Sequence, residues 1–209
     1  YHDVDLNIIS VGEGFTYGAQ GYTHHAIDEF SCLRAVGSKL ISTPSCKSEV
    51  ISCFEHSKHT VGVKYFRIGN VTHNYATKKI NTHFNHVIGT GKPVIITCGA
   101  LVKAYADYIA ENKLENDVKL VSMPIYSPEI DYLDFDFLLG ADKVIFVQEH
   151  VLCGGLYEAT NRFINQEIPI FNYSIDPETV RHEIGSQEYL QKLSGIDPFR
   201  VITEQLTCN

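Results

Sequence analysis

The chain has no apolar run approaching the roughly 18 residues of a membrane-spanning helix, and its N-terminus lacks a signal-peptide pattern. A basic excess is missing too. Lys and Arg number 17 against 25 Asp and Glu, and the resulting charge of −8 argues against nucleic acid or an anionic membrane as partner. There is no C-x-x-C: the six cysteines, at 32, 46, 53, 98, 153 and 208, are scattered. Reduced thiols in a cytoplasmic protein are therefore expected, rather than a disulfide framework. The sequons at Asn70 and Asn172 would matter only in a secreted protein. No internal repeat or low-complexity segment interrupts the chain. Gly89-Thr90-Gly91-Lys92-Pro93 lacks the spacing and preceding strand of a phosphate loop and reads as a turn into a strand.

What remains is a globular chain of 209 residues, 44% hydrophobic and 20% charged, long enough for one large or two small domains. Its first part alternates strand (4–11), loop, helix (27–36), strand (39–43), helix (46–56) and strand (61–68). A polar, His- and Asn-rich stretch without clear period, 69–91, reads as a linker. Alternation then resumes with strands at 93–98, 118–123, 143–148 and 168–173 and helices at 100–112, 132–139, 156–165 and 187–193. This order predicts an α/β fold with mainly parallel sheets covered on both faces. The boundaries expected are a unit over 1–70, a linker over 71–91 and a second unit over 92–209.

The loop after the first strand holds the most informative residues: Gly18-Ala19-Gln20-Gly21-Tyr22-Thr23-His24-His25. Glycines let backbone and side chains approach a ligand closely. Two adjacent imidazoles can donate to anions or hydroxyls, or move protons near neutral pH; a hydrogen-bonded surface pair beside a helix cap is the plainer reading. Other candidates are weaker. His56 with His59, and His83 with His86, have i, i+3 spacing, but no further ligands accompany them, so exposed histidines are favoured over a metal site. The acidic run from Glu129 to Asp136 reads as an amphipathic element. Gly154-Gly155, between a strand and a helix, reads chiefly as close helix–sheet packing rather than an anion site.

The Gly18–His24 loop resembles the G-x-x-G-P-T-H loop of the transketolase family, and Glu29 with Leu33-Arg34-Ala35 is similar to the run that follows it there. Gly91-Lys92-Pro93-Val94 through Gly99, Gln148-Glu149-His150-Val151 with Gly154-Gly155-Leu156, and Gly185-Ser186 extend the resemblance over almost the whole chain. Tyr22 replaces the family's proline, and Gln20 an aspartate that contacts a substrate hydroxyl. The resemblance implies a partial pyrimidine-binding domain followed by a transketolase C-terminal domain. It also implies thiamine diphosphate and Mg²⁺ as cofactors, bound mainly by segments absent from this chain, and neither a cofactor-binding residue nor a metal ligand within it.

The site residues carried over are His24 and His25 as catalytic groups and Gln20, Thr23 and Arg67 as substrate-binding groups. Arg67 would be the phosphate anchor, since a guanidinium suits bidentate phosphate contact; a strand-end arginine paired with a surface carboxylate is the alternative reading. The partners implied are a sugar or sugar-phosphate, an N-terminal diphosphate-binding domain or subunit, and further copies in a homo-oligomer. The activity implied is transfer of two-carbon ketol units. The family activates its cofactor with a glutamate from an earlier strand–helix unit of the pyrimidine-binding domain and holds the diphosphate through Mg²⁺ and a G-D-G motif. No G-D-G occurs here, and Tyr1-His2-Asp3 stands just ahead of that domain's middle strand, so the isolated chain is expected to be inactive. A non-catalytic assembly or docking module is the alternative. The coding sequence ahead of Tyr1 separates the two.

Overall fold

The computed structural model describes every residue except Tyr1, Asp3, Val71, Thr72, Glu129, Cys208 and Asn209. The opening tripeptide, the start of the acidic run, the last cysteine and part of the Asn70 sequon therefore lie wholly or partly outside the described residues. Two sheets form, as the βα alternation requires. The first has the order β1 (Leu6–Val11), β3 (Val63–Ile68), β2 (Leu40–Ser42) and β8 (Ile125–Tyr126). Its first three strands are parallel, and β8 adds antiparallel to β2. The second runs β10 (Ile170–Ile175), β9 (Lys143–Val151), β6 (Pro93–Thr97), β7 (Lys119–Ser122), β5 (Asn85–Ile88) and β4 (Lys78–Lys79). Here β10, β9, β6 and β7 are parallel, while β5 and β4 are antiparallel additions.

Both sheets are sandwiched by helices, because their central strands are apolar on both faces. Phe30, from α1 (Glu29–Ala35), covers one face of the first sheet with Ile41 and Tyr65. Cys53, from α2 (Lys47–Ser57), covers the other with Leu40, Phe66 and Ile125. In the second sheet, Leu101, Tyr105 and Ile109 of α3 (Ala100–Glu111) pack with Leu190 of α6 (Gln187–Leu193) and Val201 and Ile202 of α7 (Pro198–Thr207). Phe135 and Leu138, from a 3₁₀ segment (Tyr132–Leu138), fill the opposite face with Leu156 of α4 (Leu156–Thr160). A short α5 (Pro177–Val180) precedes α6. No helix among the described residues is long and apolar enough to cross a membrane.

Three expectations need correction. The segment 71–91 is not a bare linker, since it contributes β4 and β5 to the second sheet. Buried Phe84 and Val87 anchor that addition. The expected helix over 132–139 is a 3₁₀ segment, started by a reciprocal cap between Asp131 and Asp134. The expected helix over 156–165 stops at Thr160 and continues as a single 3₁₀ turn, Asn161–Phe163. The histidines depart from expectation as well: His83 is buried rather than exposed, with Nδ1 at 3.1 Å from the Ile125 carbonyl, and His86 lies on β5, so helical spacing does not bring those two together. Gly154 permits packing, as expected: a side chain there would collide with Ser31 of α1.

The two sheets are tied at several points. Beyond β8, the Gly99 N–H donates to the Thr43 carbonyl at 3.2 Å, and the Asn85 amide donates to Glu49 of α2 at 2.9 Å. These ties predict one cooperative unfolding event for the whole chain, read as coincident urea transitions by far-UV circular dichroism and tyrosine fluorescence. Two resolved transitions would show that the sheets are energetically independent.

Candidate functional site

Beside the exposed loop, a set of charged side chains is buried where the two sheets meet. Glu13 follows β1 between Gly12 and Gly14, both at positive φ (95° and 48°), a backbone region that glycine enters without penalty. A side chain on Gly14 would collide with Glu149, so this turn is also a close approach between the sheets. The Glu13 carboxylate accepts the Ala100 N–H at 2.6 Å, at the start of α3, where the helix dipole favours a negative charge. It also accepts from the Thr43 hydroxyl at 3.4 Å.

Arg67, at the end of β3 and only 2% exposed, faces Glu29 at 3.3 Å and Glu13 at 3.8 Å. Its guanidinium donates to the Glu149 carbonyl at 3.1 Å and lies 4.9 Å from the centroid of the Phe30 ring. The Glu149 side chain, at the far end of β9, accepts from Gln187 at 2.9 Å and from Gln191 at 3.1 Å, both on α6. Burial pushes its carboxyl up to about 7; the Glu13 charge adds to this, while Arg67 and the two glutamines oppose it. Burial likewise raises Glu13 and Glu29. For Arg67, burial alone would lower the pKa, but the charges of Glu29 and Glu13 outweigh it and hold the guanidinium above its ordinary value.

His150 closes one side of the cluster. Its ring stacks on Phe30 with centroids 4.7 Å apart, and Nε2 accepts the Phe30 N–H at 3.2 Å. Nδ1 lies 2.8 Å from the Val151 carbonyl, so it must carry the proton, and the ring is neutral. Burial pushes its pKa down to about 4.

The loop itself is two successive 3₁₀ turns, Gly18–Gln20 and Tyr22–His24, joined at Gly21 with φ 83°. Gly18 abuts Leu190 of α6, and its carbonyl accepts the Gly185 N–H at 3.3 Å. Gln20, Thr23 and His24 are all exposed. The Thr23 hydroxyl lies 3.1 Å from His24 Nδ1. Two expected site residues do not join them. His25 turns inward, 8% exposed, edge-on to Phe15 at 5.1 Å and Tyr22 at 5.7 Å, and burial lowers its pKa; it is a packing residue here. Arg67, expected as a phosphate anchor, is enclosed between two carboxylates rather than presented to a ligand.

Glu13, Glu149, Gln187 and Gln191 were not anticipated from the sequence. The signal lay in an acid flanked by glycines at a strand end and in a polar triplet, Gln148-Glu149-His150, that follows the apolar run of β9 and is buried with it. Nothing in the sequence pairs them.

Known proteins provide a second line of comparison. A scan against models of protein families finds no match. The chain is 25% identical over 163 residues to one subunit of the apulose-4-phosphate transketolase of Actinobacillus succinogenes, covering 75% of this chain and 52% of that protein. It is 25% identical over 210 residues to the 1-deoxy-D-xylulose-5-phosphate synthase of Buchnera aphidicola, covering 94% of this chain but 35% of that one. The chain thus spans about half of the first relative and about a third of the second.

Among solved structures, a transketolase from Campylobacter jejuni superposes with a TM-score of 0.73 at 17% identity, over 96% of this chain and 31% of that chain. A split-gene transketolase described as an inactive β4 tetramer superposes with a TM-score of 0.67 at 16% identity, over 95% of this chain and 65% of that chain.

The buried cluster makes stability depend on pH in a defined sense. A carboxyl raised in the folded state from about 4.5 to about 7 leaves the native protein holding more protons than the unfolded chain. The contribution of Glu149 is therefore fully present below about pH 4.5 and falls as pH rises to about 7, by up to about 3 kcal/mol at 1.36 kcal/mol per unit. His150, held neutral, slopes the opposite way between about 4 and 6.5. Urea unfolding of Glu149→Gln should remove the first slope and keep the second, so that the variant gains on wild type as pH rises. An unchanged difference across that range would contradict the assignment.

Proposed function

Taking the chain as transketolase-like in sequence and in fold, we propose that it is the C-terminal part of a thiamine-diphosphate-dependent enzyme. That enzyme would transfer two-carbon ketol units between sugars or sugar derivatives. The observation that supports this reading most directly is β1. It is the edge strand of the first sheet, yet Leu6, Ile8, Ile9 and Val11 are all exposed, Ile9 at 56% and Val11 at 67%. A strand apolar on both faces is built to be covered on both, and an open apolar edge is a pairing site. In this proposal a complementary polypeptide or segment completes the sheet along β1 and brings the cofactor-activating glutamate. The Actinobacillus succinogenes relative is itself described as a subunit, which agrees with this division.

The residues of this chain do not suit the cofactor's diphosphate. The buried guanidinium is already faced by Glu13 and Glu29, and among the described residues no group of three or more His, Cys, Asp or Glu could hold a metal ion. Thiamine diphosphate with Mg²⁺ is therefore assigned to the complementary part, where the cofactor supplies the nucleophilic carbon.

This chain provides the substrate loop. His24, exposed and poised against Thr23, donates to or relays a proton from a sugar hydroxyl, and Gln20 offers an uncharged amide to the same ligand. Arg67, with its carboxylate partners, holds the loop's base rather than a substrate phosphate. The assembled enzyme would work in the cytoplasm as an oligomer of such completed units. The alternative, a non-catalytic assembly module, uses the same β1 face without the loop chemistry.

Two variants separate these roles. In the completed enzyme, His24→Ala should lower kcat by about 10²–10⁴-fold, the usual worth of a positioned acid–base group, without weakening cofactor binding; full kcat/KM with every accepted sugar would favour the assembly module. Ile9→Lys, at an exposed position, should leave the isolated chain folded yet abolish its co-elution with the complementary part, because a charge would enter an apolar interface. Unchanged co-elution would show that β1 is not the contact.

A further inference from the structure

At a distance from β1 and from the histidine loop, a groove of about 410 Å³ opens between the 3₁₀ segment Tyr132–Leu138 and the turn after α4. Phe135, Leu138, Phe163, Ile164 and Ile168 make its apolar floor. Its collar is apolar as well: Tyr132 is 65% exposed and Leu139 83% exposed, and the neighbouring Leu133 is also exposed. Scattered exposed apolar residues need no explanation, but a collar of them around an apolar groove marks a contact for another molecule.

We infer that this groove docks a protein segment presenting an apolar anchor flanked by lysine or arginine. Charge sets that choice. Asp136 is the charged side chain among the lining residues and is exposed, and Asp131 and Asp134 stand on the same 3₁₀ wall. Asp134 is engaged by the Asp131 N–H and by nearby His83, and the Asp131 side chain accepts the Leu133 N–H. No salt bridge involves Asp136 among the described residues. On the other side Arg162, which does not line the groove, lies 4.6 Å from the centroid of the lining Phe163 ring. The cationic flank of the ligand therefore lies along the 3₁₀ wall and its apolar anchor on the floor. An acidic segment would meet the Asp131–Asp136 wall on a chain that already carries −8, and like charges placed together at a contact are strongly disfavoured.

The test uses two labelled synthetic peptides with the same Leu-Phe-Leu core, one flanked by lysines and one by glutamates, titrated into the full chain and read by fluorescence anisotropy. The lysine-flanked peptide should bind about tenfold more tightly or better. Asp136→Lys, a solvent-exposed change, should reverse that order, and Leu139→Ser should weaken both peptides. Ile9→Lys should change neither. Three results would overturn the inference: no binding of either peptide, a preference that survives Asp136→Lys, or loss of binding in Ile9→Lys, which would place the peptide on β1 instead. Circular dichroism of each variant confirms that a lost signal is not a lost fold.

Discussion

Arg67 is the charge around which the two sheets are joined. A guanidinium taken out of water must be matched by carboxylates and hydrogen bonds, or its desolvation would exceed any gain. Here Glu29 comes from the helix that covers the first sheet and Glu13 from the turn after its edge strand, and the Glu149 carbonyl comes from the second sheet. Glu13 in turn starts α3 through the Ala100 N–H, and the Glu149 side chain fastens α6 through Gln187 and Gln191. Since α6 supports Gly18, the position of the His24 loop follows from the same network. Burial, with the Glu13 charge adding to it, pushes the Glu149 carboxyl up to about 7 within this network, and burial raises Glu13 and Glu29 in the same direction.

The molecule divides its surface between finished and unfinished faces. The second sheet is enclosed by α3, α6 and α7 on one side and by α4 and the 3₁₀ segment on the other. The first sheet is enclosed around β2 and β3 but leaves β1 open. Burying even one more Ile or Leu side chain is worth about 1.5–3 kcal/mol, so the β1 face alone would contribute substantially to binding a complementary part. In the proposed reading, that open face is where the complementary part is added.

Much of the architecture was legible because parallel sheets announce themselves as apolar runs separated by helical stretches. The runs at 93–97 and 143–147, near the centre of the second sheet, needed nothing else. The additions to the sheets were not legible. β8 and β4 are two residues long, and β5 is held by backbone pairing to β7, so none of them shows a period of its own. α7 went unnoticed although its buried Val201, Ile202 and Gln205 mark one helical face. At the loop, adjacency identified the histidine pair but could not assign the two sides. The 3₁₀ turn ends at His24, and the extended backbone of His25 carries that ring into the aromatic packing of Phe15 and Tyr22. Arg67 shows the other limit. The family resemblance implies a phosphate partner for it, whereas its carboxylate partners, Glu13 and Glu29, lie far upstream and meet it only when the chain is folded.

The central claim, that this chain contributes a substrate loop to a cofactor held elsewhere, is tested most directly by calorimetry. Thiamine diphosphate with Mg²⁺ is titrated first into the chain alone and then into the chain mixed with its complementary part. The account predicts no measurable heat of binding in the first titration and saturable binding in the second. Micromolar affinity for the chain alone would contradict it.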